Sequence, residues 1–201
     1  SIVPTPQQHA QAHAECTGTS FNQHTHLEDG KGQYTGNIAE IIFSEYLDQN
    51  FIEHKRVGDL KLFHDFEIGL IKSDTKGKWR KSPAPEGCGR RDVNVEIRVE
   101  NEVCHAYVFL SVVRPNKDDD ATVVEIWGWM KKKEFWSHKS LERVKKGDIT
   151  SGNFEEQLTA GKLNRDCLHD IGDFLIRMKD HLFDQAWGED LYVVVDTEGR
   201  R

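Results

Sequence analysis

Two aspartates and a lysine lie within one short segment of the chain. Asp65 is separated by eight residues from Asp74, and Lys76 follows two positions later. Alternate side chains of a β-strand share a face, so Asp74 and Lys76 point the same way, and a hairpin that turns at Gly69 brings Asp65 beside them. Two close carboxylates raise each other's pKa unless a cation lies between them. The segment therefore predicts a site for Mg²⁺ or Mn²⁺, which prefer oxygen ligands.

These residue types suit the hydrolysis of a phosphodiester bond. Asp65 and Asp74, with the carbonyl of Thr75, are the expected metal ligands. Lys76 can orient the attacking water, help to deprotonate it, or stabilise the charge that develops on the phosphate, and the sequence leaves these roles open. The alternatives are an ordinary surface ion pair for Asp74 and Lys76, and a helix-dipole contact for Glu40.

The acid-x-lysine pattern alone is weak, because it occurs at Glu53-His54-Lys55, Asp59-Leu60-Lys61 and Asp74-Thr75-Lys76. Only the third triplet ends a predicted strand that pairs with a strand carrying its own acid. A basic segment follows it at once, as contact with a phosphate backbone requires. The residues predicted to bind nucleic acid are Lys78, Trp79, Arg80, Lys81, Arg90 and Arg91.

The elements that must position these residues follow from periodicity. Helical spacing predicts an amphipathic helix over residues 37–49 with Thr35 as N-cap and Glu40 in its first turn, and a helix from Ile171 to Leu182. A basic helical region is expected over 131–146, an irregular arm over 1–33, an exposed loop over 78–91 and a loop over 147–165. The predicted strands are 60–68, 70–76, 93–99, 106–113, 122–129 and 191–195. The apolar run 106–113 is expected to be a central strand covered on both faces.

This order of elements predicts one α/β domain over residues 34–201, with a mixed central sheet of about five to six strands flanked by helices. The net charge of −7 means that a nucleic-acid ligand needs locally concentrated positive charge. The four cysteines are expected to be free thiols, and a zinc site of Cys88, Cys104 and Cys167 is the alternative. No apolar run is long enough to span a membrane, and no secretory signal is seen, so a cytoplasmic protein is expected.

The acid, the gap and the acid-x-lysine triplet resemble the motif of the PD-(D/E)XK nuclease superfamily, read here as Asp65 and Asp74-Thr75-Lys76. Glu40 matches a glutamate that many members carry on the preceding helix, and the resemblance implies that it holds a second metal or a water. The segments Tyr107-Val-Phe-Leu, Val124-Glu-Ile-Trp-Gly-Trp129 and Lys133-Glu-Phe135 are similar to a group of small phage and bacterial members. The resemblance covers residues 35 to 137.

The resemblance implies a restriction-endonuclease-like core and a deoxyribonuclease, with endonuclease action expected. DNA is the expected partner, RNA is not excluded, and a homodimer is left open. A phage-encoded chain of this kind would act in the host cytoplasm. The alternative is a catalytically silent module that binds nucleic acid or protein on the same fold.

Overall fold

The computed structural model describes residues 1–17, 31–57, 64–83, 92–96, 104–116, 118–145, 147–150, 154–155 and 160–179. Several predictions fall outside these residues, namely the triplet at Asp59, Cys88, Arg90, Arg91 and the strand over 191–195. None of the described helices is both long and apolar enough to cross a membrane.

Helices lie at both ends of the described chain, with strands between them. The helices are α1 (Pro6–Thr17), α2 (Lys31–Gln49), α3 (Lys132–Ser137) and α4 (Ile171–Lys179), and a 3-10 turn spans Arg165–Cys167. The strands are β1 (Lys55–Arg56), β2 (Phe66–Ile68), β3 (Ile71–Arg80), β4 (Asp92–Glu96), β5 (Ala106–Val113), β6 (Val123–Lys131), β7 (Glu142–Val144), β8 (Ile149–Thr150), β9 (Phe154–Glu155) and β10 (Ala160–Asn164).

The main sheet has five strands in the order β1-β2-β3-β5-β6. β3 and β5 run parallel, and the other neighbours are antiparallel. Every residue of β5 is buried, which confirms the predicted central strand. One face packs on α2 through residues such as Ile38 and Ile42. The other face packs Tyr107 and Phe109 against Val93. The predicted α/β class with a mixed sheet is therefore confirmed.

A smaller sheet, in the order β4-β10-β7, contributes Val93 and Leu163 to that second apolar cluster. The prediction of a loop over 147–165 is therefore wrong, since β10 lies within it and β8 pairs with β9. The basic helix predicted over 131–146 is also wrong beyond α3, which ends at Ser137 before the extended residue His138. β7 is a strand because it pairs with β10, which comes later in the chain, and the local sequence pattern does not indicate this pairing.

The hairpin predicted around Gly69 is confirmed, with Gly69 at φ 58° in the turn between β2 and β3. β3 is longer than predicted and continues through Lys78, Trp79 and Arg80. These three residues pair in parallel with β5, where Arg80 is the partner of Val113. The predicted exposed loop is therefore wrong at its start, because the neighbouring strand supplies hydrogen bonds that the sequence does not reveal.

The prediction of an irregular arm over 1–33 is wrong for α1, which packs on α2, and for Ile2, which pairs with Val124 of β6. The buried face of α1 is formed by Gln8 and Ala12 rather than by large apolar residues. Gln8 donates a hydrogen bond to Glu45 of α2. A helix that packs through such residues lacks the apolar period on which the prediction relied.

α2 begins at Lys31, earlier than predicted, so Thr35 is not its N-cap. The Thr35 hydroxyl instead accepts a hydrogen bond from Nη1 of Arg114 over 3.1 Å. Glu40 consequently lies in the middle of α2 and not in its first turn. The helix-dipole explanation for Glu40 fails, because the dipole acts within the terminal turns. The helix predicted from Ile171 is confirmed as α4, which buries Phe174 and Met178.

Candidate active site

Asp65 lies at an edge of β3 that β2 leaves open. β2 pairs with β3 only from Ile71 to Ser73, and Asp65 directly precedes β2. Its Oδ2 accepts two hydrogen bonds from Thr75, one from the amide N–H over 2.6 Å and one from the hydroxyl over 2.5 Å. The carboxylate is therefore fixed across the open edge, beside the acid-x-lysine triplet. The expected meeting of Asp65 with the triplet is observed.

Asp74 and Lys76 form an ion pair on one face of β3, as their spacing predicts. The Asp74 side chain is only 8% exposed and that of Lys76 is 24% exposed. Burial raises the pKa of Asp74 well above its usual value, Lys76 opposes this rise, and the charge of Asp65 adds to it. A buried acid beside a second acid differs from an ordinary surface ion pair, which was the alternative for these two residues.

Tyr107 supports Lys76 from the neighbouring strand. It is the register partner of Asp74 on β5, and the Lys76 Nζ lies 5.8 Å from the centre of its ring. The Tyr107 hydroxyl accepts a hydrogen bond from Nε1 of Trp136 over 3.1 Å. The ammonium group is thus paired with a carboxylate and lies near an aromatic face, and both attract its positive charge. Tyr107 and Trp136 were not predicted as parts of the site, and the available signal was a tyrosine within a largely apolar central strand.

Glu40 approaches the same edge from α2 and is bound by Arg56 of β1. Nε and Nη2 of Arg56 donate to Glu40 Oε2 over 3.0 and 2.9 Å. Nη1 and Nη2 of Arg56 also donate to the two carboxylate oxygens of Glu15 on α1, over 2.9 and 2.8 Å. Burial raises the pKa of Glu40 to about 8, the charge of Asp65 adds to this, and Arg56 opposes it. Arg56 and Glu15 were not predicted, because they come from segments far apart in the sequence.

The donor set suits a single hard cation. Among the described residues, no three His, Cys, Asp or Glu side chains form a group that could hold a metal. Asp65 and Asp74 nevertheless offer two carboxylates, and Mg²⁺ is commonly held by one or two carboxylates together with waters and substrate phosphate. Burial, and to a lesser extent the charge of Asp65, raises the pKa of Asp74, and a cation bound beside both carboxylates would favour the ionised form. Of the other predicted ligands, Thr75 donates to Asp65 and Glu40 is bound by Arg56.

The cysteines proposed for the alternative zinc site differ in environment. Cys104 is buried in the second apolar cluster and Cys167 is half-buried at its margin. Both are free thiols.

The predicted nucleic-acid contacts divide between the two faces of β3. Lys78 and Arg80 alternate with Trp79, so they share the face of Asp74 and Lys76. Trp79 faces the α2 side, and its Nε1 donates to the carbonyl of Arg114 over 3.1 Å, which is a structural role. The Arg80 guanidinium lies 4.2 Å from the centre of the Trp127 ring. Lys81 is exposed just beyond the strand.

Trp127 reaches this face because of a β-bulge in β6. Leu110 pairs with Ile126 and Phe109 pairs with Gly128, so Trp127 is the extra residue. A bulge reverses the alternation beyond it, and Trp127 and Trp129 therefore pack in different clusters. Gly128 has φ 145°, and a side chain there would overlap the carbonyl of His169.

A groove of about 400 Å³ lies beside the site. It is bordered by the run from Thr75 to Trp79 and by Phe109 and Trp127. Arg165 places a second guanidinium 4.9 Å from the Trp127 ring. Trp127 and Arg165 were not predicted as site residues, since only the bulge and the fold bring them here.

Comparison of the chain with protein-family models, with curated proteins and with solved structures finds no match.

Proposed function

We propose that this protein is a metal-dependent nuclease of the PD-(D/E)XK type that hydrolyses phosphodiester bonds in DNA. The observation that carries the proposal is the meeting of Asp65, Asp74 and Lys76 at the open edge of β3. Two carboxylates and an ammonium in a partly buried position are costly to maintain, and a buried acid with a raised pKa in such a cluster, here Asp74, is typical of catalytic sites.

Asp65 and Asp74 are the proposed ligands of Mg²⁺ or Mn²⁺. When bound, the ion supplies positive charge to the phosphate and lowers the pKa of a coordinated water. Thr75 holds Asp65 in place through two hydrogen bonds, so that this ligand is oriented in advance. Lys76, held by Asp74 and Tyr107, is placed to orient the water and to stabilise the negative charge that develops on the phosphate.

DNA is the proposed substrate because basic side chains lie around the site, although the protein as a whole is acidic. Lys78 shares the face of Lys76, and the guanidinium groups of Arg80 and Arg165 lie against Trp127 beside it. An aromatic ring combined with cations is a common surface for nucleic-acid strands. The order of the main sheet, with a hairpin followed by a parallel strand, supports the further proposal of a restriction-endonuclease-like core.

The test is cleavage of supercoiled, linear and single-stranded DNA with and without Mn²⁺. The wild-type protein should nick or linearise supercoiled DNA only when the metal is present, as expected of an endonuclease. Asp74→Asn and Lys76→Ala should reduce the rate by at least about a hundredfold, since each removes a group that acts in the transition state.

Lys55→Ala is the matched control for Lys76→Ala. Lys55 belongs to a competing acid-x-lysine triplet and forms an exposed ion pair with Glu67 over 3.4 Å, so its loss should leave the rate unchanged. Absence of metal-dependent cleavage of every DNA form by folded wild-type protein contradicts the proposal. DNA binding that survives the loss of Asp65, Asp74 and Lys76 without any cleavage would favour the silent binding module.

A further inference from the structure

The site contains two more acidic than basic side chains, a difference equal to the charge of one divalent metal ion. Counted in their ionised forms, Glu15, Glu40, Asp65 and Asp74 supply four negative charges. Arg56 and Lys76 supply two positive charges, and each is paired with an acid of this group. Two negative charges therefore remain in the group, one at each end, and their sum equals the charge of a single divalent ion.

Arg56 is fixed at the Glu40 end of this group. It makes four hydrogen bonds of 2.8 to 3.0 Å to Glu15 and Glu40, and its side chain is only 21% exposed. The two bonds to Glu15 have the paired geometry in which guanidinium and carboxylate bind most strongly. The Arg56 guanidinium cannot move away without leaving two partly buried acids unpaired, which is costly.

Lys76 compensates the opposite end of the group. It pairs with Asp74, and Asp65 is bound by the neutral donors of Thr75. One of the two remaining negative charges therefore lies at Asp65 and Asp74, and the other is shared by Glu15 and Glu40 around Arg56. A second metal at Glu40 would have to approach the guanidinium of Arg56, and like charges at that range repel.

We propose that Arg56 takes the place of a second metal ion, so that the site binds one divalent cation at Asp65 and Asp74 and Glu40 is not a ligand. The inference rests on the proposed metal site and adds its stoichiometry. Arg56 is a positioning residue that holds Glu40 in place through two hydrogen bonds to its Oε2. Glu15 of α1 completes the arrangement by fixing Arg56, which connects the N-terminal helix to the chemistry.

The experiment is titration of the DNA-free protein with Mn²⁺. Calorimetry measures the binding, and electron paramagnetic resonance measures the Mn²⁺ that remains unbound. Wild-type protein should bind one Mn²⁺ per chain. Arg56→Gln should bind two, because Glu15 and Glu40 then become available as oxygen ligands. Arg56→Lys retains the positive charge and should still bind one.

Two further variants complete the design. Glu40→Gln should bind one Mn²⁺ with an affinity within about threefold of the wild type. Arg177→Gln is the matched control, since Arg177 forms an ion pair with Asp173 on α4, and it should also bind one. Thermal unfolding establishes which variants are folded, and if Arg56→Gln is not, the wild-type and Glu40→Gln titrations still decide.

The outcomes separate this inference from the proposed function. Two Mn²⁺ per wild-type chain, a single Mn²⁺ in folded Arg56→Gln, or a large loss of affinity in Glu40→Gln each overturns the inference and leaves the nuclease proposal standing. No Mn²⁺ bound by folded wild-type protein overturns both. Both are supported if the wild type binds one Mn²⁺, Asp74→Asn abolishes this binding, and Arg56→Gln creates a second site.

Discussion

Several causes act on the pKa of Glu40, and they do not all shift it in the same direction. Burial and the charge of Asp65 raise its pKa to about 8, while Arg56 acts in the opposite direction. In the metal-free protein Glu40 therefore takes up a proton at a much higher pH than in the unfolded chain, where its pKa is 4.5. Asp74 shifts in the same direction, chiefly through burial. A metal at Asp65 would offset the charge of Asp65 and so lower the pKa of Glu40, while the larger contribution of burial would remain.

These shifts predict how the stability of the metal-free protein depends on pH. A group with a raised pKa in the folded state stabilises that state fully below the unfolded value and loses this contribution as pH rises through the folded value. The free energy of unfolding should therefore fall between pH 4.5 and about 8, with a Glu40 contribution of a few kcal/mol. Denaturant unfolding in the presence of a chelator measures it.

Glu40→Gln is the comparison for that measurement, because the amide does not titrate. Its unfolding free energy should vary less with pH than that of the wild type over the same interval. Identical pH profiles for the two proteins would contradict the raised pKa of Glu40.

The close approach of α2 to β3 positions the acids at the level of elements. Gly77 follows Lys76 and lies against α2, where a Cβ would be 3.0 Å from the Ala39 Cβ and 3.0 Å from the carbonyl oxygen of Thr35. A glycine here allows the helix that carries Glu40 to approach the strand that carries Asp74. Any larger residue must separate the two elements.

Gly77→Ala should therefore lower the free energy of unfolding by about 1–3 kcal/mol, the usual cost of an added methyl group in a packed interior. Gly36→Ala is the control, because Gly36 lies in α2, the helix against which Gly77 packs. Nothing lies within 4 Å of a Cβ at Gly36, so this change should stabilise the protein by up to about 1 kcal/mol through helix propensity. Denaturant unfolding compares the two, and equal effects would show that the contact with Ala39 and Thr35 is not limiting.

At the scale of the whole molecule, a net charge of −7 opposes binding to DNA, so affinity must come from cations that lie near the groove. Lys78 is on the face of the site, whereas Lys179 is exposed at the end of α4 on the opposite side of the sheet. The two lysines carry the same charge and differ in their position relative to the groove.

Lys78→Ala should weaken DNA binding uniformly across sequences and reduce the dependence of log K on log salt by about one unit, as expected for one lost phosphate contact. Lys179→Ala should leave the slope unchanged. Fluorescence anisotropy with labelled DNA, in chelator to prevent cleavage, measures both slopes. Equal slopes for wild type and Lys78→Ala would exclude Lys78 from the phosphate contacts.

Local patterns were sufficient wherever a feature depends on neighbours in the sequence. The alternation of strand side chains placed Asp74 and Lys76 on one face, the glycine at position 69 indicated the turn, and an apolar run identified β5. Each of these follows from backbone geometry over a few residues. The same reasoning failed for α1, because a helix that packs through Ala12 and Gln8 has no strong apolar period.

The sequence by itself determined the hairpin, the central strand and the three residues proposed to perform the chemistry. Only the tertiary structure decided which groups surround them. Arg56 and Glu15 reach Glu40 from separate elements, and a single bulge turns Trp127 toward Arg80. Side-chain alternation is a local property, whereas charge compensation and the direction of a bulged residue depend on packing between segments that are distant in the chain.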